Sequence, residues 1–492
     1  MPKNNLNKTI KASLPRGQRD IFGTDIDLIN EIIKKVTCVY KRYGFEELST
    51  PAFEFSDVLG KFLPDDDRPN SGVFSFQDDD EKWLSLRYDL TSPLARFVAE
   101  NYDIIAKPYK RYQVGNVWRN EKPGPGRYRE FIQLDADIVG SDNYLVDAEL
   151  IMLACDSLAA IGLSNENYNV RVSNRKLLDA ILEIISEKDS IDNERKLIIL
   201  RAIDKLDRVG LEGVEKLLAD GRKDASGDFT KGAKLKSIGI KKIMDFISIE
   251  ISNRNKFISD IKNLIGSNQS GESAINELIA INDLLDRMGY SSEVLFDSSV
   301  VRGLGYYTGT MFEANISIEN SNDKDLPVIG SIGGGGRYDN LISRFKKDAV
   351  PASGFSMGIS RLCTILQLTG YNVLKPKYGP ILILLMDKEY EYSYFQMAKE
   401  LRAAGMNAEV YVGNSGMKAQ MKYADRRNSP LVIIEGTDER AKGIVTIKNL
   451  VKGKEIASTI DNRDKWINNT SIQFEISREG LSQKIKDILG TD

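Results

Sequence analysis

The sequence predicts an α+β/α/β multidomain protein: a strand-rich core that carries a helical insertion, followed by a small α/β domain. Three observations predict it. Residues 109–118 and 128–139 alternate in polarity around a turn-rich loop, RNEKPGPGR, which is the pattern of a hairpin. Residues 187–270 are helix-rich and strongly charged, unlike the segments on either side. From residue 378 onward, apolar strands such as PILILLMD and SPLVIIEG alternate with helices, the βαβαβ order of a mostly parallel sheet. A chain of 492 residues allows about two to four domains. The core is expected at 1–186 and 271–372, the insertion at 187–270 and the α/β domain at 378–492.

Each element has a local reason. Ile29, Ile33, Val36 and Tyr40 recur at helical spacing over 25–43, and Gly44 ends that helix. FEELSTPAF (45–53) reads as a strand interrupted at Pro51, either at a sheet edge or at a subunit interface. The acidic runs 65–67 and 78–80 read as solvated loops. Ser92–Pro93 reads as a helix start with Ser92 as the cap. Residues 144–160 form an amphipathic helix, and strands return at 293–315 and 327–332, before the glycine run 333–336. Residues 353–368 read as strand, turn and helix. Residues 444–450 and 454–458 read as a hairpin in the last domain.

Composition excludes much chemistry. The chain has no histidine, so His-containing triads, HExxH zinc sites and imidazole bases are impossible. Cys38, Cys155 and Cys363 are far apart and form no CxxC. The net charge of −3 neither demands nor excludes nucleic acid. The N-terminus has no apolar core, and no 18-residue apolar run exists, so a cytoplasmic protein without membrane spans is expected.

Four constellations could carry chemistry. Arg119, Glu121 and Arg127 sit on the hairpin loop. Arg302 lies among Gly and Tyr in VRGLGYYTG. Glycines 333–336 precede Arg337–Tyr338–Asp339, without a GK[ST] or a dinucleotide fingerprint. Arg361 falls at a helix start after a strand, a favoured place for anions. Taken singly, the hairpin arginines, Arg302 and Arg361 are better explained as a charged hairpin, a glycine-rich bend and a surface arginine, and the glycine run as close backbone packing against a ligand or sheet. Together, glycine-flanked arginines beside Asp89, Glu121, Gln133 and Asp137 suit phosphoryl or nucleotidyl chemistry. There the protein positions reactants and stabilises charge, and no imidazole is needed.

The chain resembles the histidine–tRNA ligase family of class II aminoacyl-tRNA synthetases over nearly its whole length. FEELSTPAFE is similar to the first class II motif, VWRNEKPGPGRYREFIQLDADIVG to the second and GFSMGISRL to the third. VRGLGYYTGTMFEA and GGGGRYDNL resemble the more selective histidine-specific pair. The resemblance implies a catalytic core with a mainly antiparallel sheet, an anticodon-binding C-terminal domain and a homodimer. It implies ATP-dependent activation of L-histidine and transfer to tRNA(His), with Mg²⁺ on the phosphates. It makes Arg119 and Arg302 catalytic, at the reacting carboxylate and α-phosphate. Arg119, Glu121, Arg127 and Arg361 would bind ATP. Asp89, Thr91 and Gln133 would hold the substrate ammonium, while Asp137 and Tyr307 read the ring nitrogens and Tyr306 and Tyr338 line the pocket. Ile132 stands where many relatives have His, and Ser360 where many have Glu. Lys418, Lys422, Arg426 and Arg427 fall on one helix of the anticodon-binding domain. Two rival readings share this core: a synthetase-like regulatory subunit of ATP phosphoribosyltransferase, and a non-catalytic tRNA sensor.

Overall fold

The computed structural model describes residues 11–490 apart from 60–71, 125, 187–188, 190, 224–226, 228, 302–305, 318–330, 372, 375–376 and 458–471. The chain divides after Leu374 into two compact units.

The first unit is built on an eight-stranded sheet. Its strands are β1 (Glu46–Glu47), β2 (Tyr109–Trp118), β3 (Glu130–Val139), β4 (Tyr168–Asn174), β5 (Val294–Phe296), β6 (Thr310–Ile316), β7 (Gly333–Arg337) and β8 (Ala352–Gly358). Their order is β1-β2-β3-β8-β7-β6-β4-β5, and only the two outermost pairings are parallel. One face is apolar: Tyr112, Leu134, Ala136, Phe355, Phe312 and Val172 join a large core. That core includes α1 (Thr24–Arg42) and α3 (Leu145–Ala160). Helix α3 is apolar nearly all round, not amphipathic as expected, because other elements enclose it. The other face of the sheet is polar, as antiparallel sheets allow.

Several local expectations shift. Helix α2 (Thr91–Asn101) starts before Ser92, so Ser92 is not the cap. Asp89 does that work: its carboxylate accepts from the Ser92 N–H at 2.9 Å and from the Ser92 hydroxyl at 3.2 Å. The glycine run is itself strand β7, not a segment after a strand. A Cβ at Gly335 would overlap the Phe312 ring and the Gly354 carbonyl, so neighbouring side chains fill what the glycines leave open. Residues 327–330 lie outside the described residues. Strand β8 runs straight into α10 (Ile359–Leu368) without a turn. Pro51 does separate two strands. Before it, β1 is the edge of the large sheet; after it, Phe53–Phe55 enters a three-stranded sheet with Ser75–Gln77 and Trp83–Leu86. The 78–80 run is a turn tied by Asp78, and 65–67 lies outside the described residues.

The helix-rich stretch supplies α5 (Asn193–Ile203), α6 (Leu206–Leu218), α7 (Ser237–Ile247) and α8 (Arg254–Ile265), after α4 (Arg175–Ser186) and before α9 (Gln269–Met288). Ile199, Leu217, Phe246 and Phe257 belong to the same apolar cluster as the sheet. The stretch therefore shares the core instead of building its own.

The second unit holds β9 (Ile381–Ile383), β10 (Ala408–Val410), β11 (Leu431–Ile434), β12 (Ile444–Asn449) and β13 (Gln473–Ser477), in the order β10-β9-β11-β12-β13. The first two pairings are parallel and the last two antiparallel, so the sheet is mixed where a mostly parallel one was expected. The expected hairpin partner 454–458 is wrong. Leu450–Ala457 is a helix whose first turn Asn449 caps through the Lys452 N–H at 2.9 Å, and β13 pairs with β12 instead.

Candidate active site

The polar face of the sheet forms the floor of the site. Arg111 and Gln113 on β2, Gln133, Asp135 and Asp137 on β3, and Gly354, Ser356 and Gly358 on β8 lie in register across it. The second-residue repeat of a strand puts them all on one side. Glycine at 354 is required there, because a Cβ would overlap the Asp137 carboxylate.

A cavity of about 420 Å³ opens above this floor. Arg119, Glu121, Arg127, Gln133, Tyr307 and Arg361, six of the sequence-predicted residues, line it. Arg119 follows β2 directly. Its Nε donates to the Tyr88 carbonyl at 3.0 Å, and its guanidinium lies 5.1 Å from the Phe131 ring centre. These contacts fix the stem and aim the fork at the cavity. Arg361, in the first turn of α10, donates from Nη1 to the Ser331 carbonyl at 2.9 Å. Arg127 pairs with Glu121 through Nε at 2.8 Å and also through Nη2. Both partners are exposed, so the pair is worth about 0–1 kcal/mol and a polyphosphate can displace it.

Gln133 marks where the cavity meets the polar floor. Its amide donates to the Ser356 hydroxyl at 3.0 Å, and that hydroxyl donates to Asp135 Oδ1 at 2.5 Å. Gln133 Oε1 is a buried acceptor without a partner among the described residues. A ligand cation would satisfy it.

Tyr306, Tyr338, Asp137 and Asp89 form an aromatic and acidic cluster around Tyr307. Tyr306 packs against Tyr307 at 5.1 Å and stacks on Tyr338 at 5.3 Å. The Tyr338 hydroxyl donates to Asp137. Asp137 also faces Arg111 Nη2 at 2.8 Å, and both are almost fully buried. Burial pushes the Asp137 carboxyl up, while Arg111 and Tyr338 pull it down. Asp89 is near enough to raise the Tyr306 phenol, after the larger effect of burial. Thr91 opens α2, two residues from Asp89. Arg302 lies outside the described residues.

Sequence reasoning missed Arg111, Asp135 and Ser356. A signal existed: Asp135 shares the parity of Gln133 and Asp137, so all three had to face the same side. Two departures noted in the sequence also turn out to be partners, since Ser360 Oγ accepts from the Ile132 N–H at 3.0 Å.

Asp135 yields a pH prediction. Burial first, then the Asp137 charge, raises its carboxyl from 3.8 to about 7. The folded state thus holds a proton that the unfolded chain releases near its ordinary value. The stability from that proton is complete below the unfolded value and is lost as pH rises through about 7. The urea midpoint of the wild type is expected to fall between about pH 4 and 7 and to level off above that, and Asp135→Asn to flatten the fall. An unchanged slope in the variant would remove Asp135 from the account.

A mainly antiparallel sheet with arginines over its polar face and a second, separate α/β unit is the architecture of a class II synthetase. Residues 17–362 match the family model described as histidyl-tRNA synthetase, and 381–470 match the anticodon binding domain model. The histidine–tRNA ligase of Bartonella bacilliformis is 48% identical over 97% of this chain and 97% of its own. That of Brucella abortus (strain S19) is 48% identical over 98% of this chain and 96% of its own. Among solved structures, histidyl-tRNA synthetase from Nostoc sp. PCC 7120 shares the fold with a TM-score of 0.74 at 23% identity, covering 97% of this chain and all of that one. An ATP phosphoribosyltransferase regulatory subunit/histidyl-tRNA synthetase from Bacillus halodurans C gives 0.68 at 23% identity, covering 87% of this chain and 100% of its own. The chain belongs to the histidyl-tRNA synthetase family.

Proposed function

We propose that this chain charges tRNA(His) with L-histidine at the expense of ATP. A carboxylate oxygen of histidine attacks the α-phosphorus in line, the bond to the β-phosphate oxygen breaks, and pyrophosphate leaves. The terminal ribose hydroxyl of the tRNA then attacks the histidyl carbonyl, and AMP leaves. The observation that carries this reading is a single cavity lined by Arg119, Arg127 and Arg361 together with Gln133 and Tyr307.

The roles follow from chemistry. Arg119 and Arg302 stabilise charge on the α-phosphate and reacting carboxylate. Arg127 and Arg361 hold the polyphosphate, and Glu121 faces the adenine. Gln133 Oε1, with Asp89 and Thr91, accepts from the substrate ammonium. Asp137 and Tyr307 read the two ring nitrogens, and Tyr306 and Tyr338 close the pocket. A pocket of buried polar groups rejects ligands that leave them unpaired.

ATP is the nucleotide substrate of the family, and Mg²⁺ is part of our proposal. Among the described residues no group of three His, Cys, Asp or Glu could hold a metal. Mg²⁺ typically keeps several waters and uses phosphates with one or two carboxylates. Glu121 and Asp204 are the carboxylates lining the cavity, which suits an ion that arrives with the nucleotide and neutralises its phosphates.

Lys418, Lys422 and Arg426 repeat every four residues on α12 (Met417–Arg426, after α11, Glu391–Ala403) and are exposed. We assign them to tRNA phosphates, whereas Arg427 pairs with Glu409 at 3.1 Å. Among the described residues no helix is long and apolar enough to cross a membrane. We place the protein in the cytoplasm, with tRNA. The regulatory-subunit reading is disfavoured, because the chain matches an anticodon binding domain.

The test is exchange of labelled pyrophosphate into ATP across a panel of amino acids, with and without Mg²⁺. Exchange is expected with histidine alone. A folded protein that shows none would sink the reading.

A homodimer is also proposed. In the three-stranded sheet the polar residues Glu54 and Ser85 are buried, while Phe53, Phe55 and Phe76 are exposed on the opposite face. Such an inverted sheet is expected to be covered by a partner. Phe53→Glu with Phe76→Glu should shift sedimentation toward monomer; a wild type that sediments as a monomer would refute the dimer.

A further inference from the structure

Two charged residues that line the cavity belong to none of the synthetase motifs. Asp204 and Arg208 come from the junction between α5 and α6, inside the helix-rich stretch. They are four residues apart, so a helical turn presents both to the same side. Gly210 breaks α6 with φ 68°, ψ 175°, a conformation that favours glycine. The break sets the turn 206–209 apart from the rest of the helix. Asp204 also lines a smaller cavity against Ser299, Val300 and Val301, the residues that lead into Arg302. The junction thus sits at the arginine cavity and beside the approach to the histidine-specific loop.

Arg208 differs from the other arginines of the cavity. Arg119, Arg127 and Arg361 each hold a carbonyl or carboxylate of the protein. The Arg208 side chain is exposed and has no hydrogen-bond or ion-pair partner among the described residues. It contributes nothing visible to the stability of the junction. The cavity has four arginines and two carboxylates, a surplus of positive charge that calls for an anion with several oxygens.

We propose that Arg208 binds the polyphosphate of the nucleotide, so that the helical stretch contributes a wall of the nucleotide site. This rests on the synthetase reading above and adds a nucleotide contact from outside the class II motifs. Arg208 would be a binding residue for the phosphates distal to the reacting atom. Its loss should raise the KM for ATP and leave the chemical step nearly intact. The exposed position makes the substitution harmless to folding.

The experiment uses the full chain in histidine-dependent pyrophosphate exchange. Arg208→Ala should raise the KM for ATP by about 5–20-fold, the range for a partly exposed charged hydrogen bond. Its KM for histidine and its kcat should stay within about twofold, as for uniform binding lost. Arg208→Lys keeps the charge without the fork and should fall between the two. Lys241→Ala removes an exposed charge from α7, away from the cavity, and should behave as wild type. Inorganic tripolyphosphate should inhibit wild type competitively with ATP and inhibit Arg208→Ala more weakly. Wild-type exchange with an unchanged KM for ATP in Arg208→Ala would overturn the proposal. So would an equal effect from Lys241→Ala, which would mean a diffuse charge effect. Absence of exchange in wild type would instead defeat the synthetase reading.

Discussion

Replacing Arg119 by glutamine is expected to lower histidine-dependent pyrophosphate exchange by about 10²–10³-fold, mainly through kcat. The reason lies in how the residue is held. Its Nε is committed to the Tyr88 carbonyl and its plane packs near Phe131, so the fork is oriented before any ligand binds. Such preorganised charge acts where negative charge develops in the transition state, without reorganisation at that moment. Arg119→Lys should recover little, because a point charge cannot reproduce a fixed fork that also anchors to a carbonyl. Rates of exchange at saturating ATP and histidine are the measurement. A variant whose kcat stays within about threefold of wild type would remove Arg119 from the chemical step.

Arg111→Met is expected to destabilise the fold by about 3–5 kcal/mol, the cost of leaving a buried charge uncompensated. Arg111 is fully buried, faces Asp137 at 2.8 Å and donates to the Leu90 carbonyl at 3.0 Å. Without it, Asp137 would share the dry floor of the sheet with Asp135 and no cation between them. The Asp137 carboxyl, already raised by burial, would rise further. Its charged form would then become costlier as pH increases, so the deficit should be larger at about pH 8 than at about pH 5. Arg111→Met with Asp137→Asn should regain part of the loss, since no unpaired charge remains. Urea unfolding at both pH values checks all three statements. A loss under about 1 kcal/mol for the single variant would show that the pair is not holding the floor together.

Both predictions concern residues of the same hairpin, yet only one of them was legible before the structure. Arg119 stood out because it sits in a loop beside glycines and prolines, a setting that serves ligands more than packing. Arg111 lies within an alternating strand, where its parity looks like any other polar position. Its meaning depends on β3 lying beside β2 in a register that places Asp137 directly opposite. Nothing within ten residues of Arg111 encodes that register.

The same division runs through the molecule. Helix α1, the β2–β3 hairpin, the strand before α10 and the separate terminal unit were readable, because periodicity, glycine stops and turn residues act over a few neighbours. So were the cavity residues Arg119, Arg127, Gln133, Tyr307 and Arg361, through motifs that are contiguous in the chain. Tertiary packing decided the rest. It turned a glycine run into a central strand by laying Phe312 and Phe355 beside it. It gave helix capping to Asp89 and Asn449 where local rules named other residues or another structure. It brought Asp204 and Arg208 to a cavity whose other walls lie far away in sequence. Local chemistry selects elements; cross-strand register and shared cores choose which side chains meet, and those choices are made by contacts between distant residues.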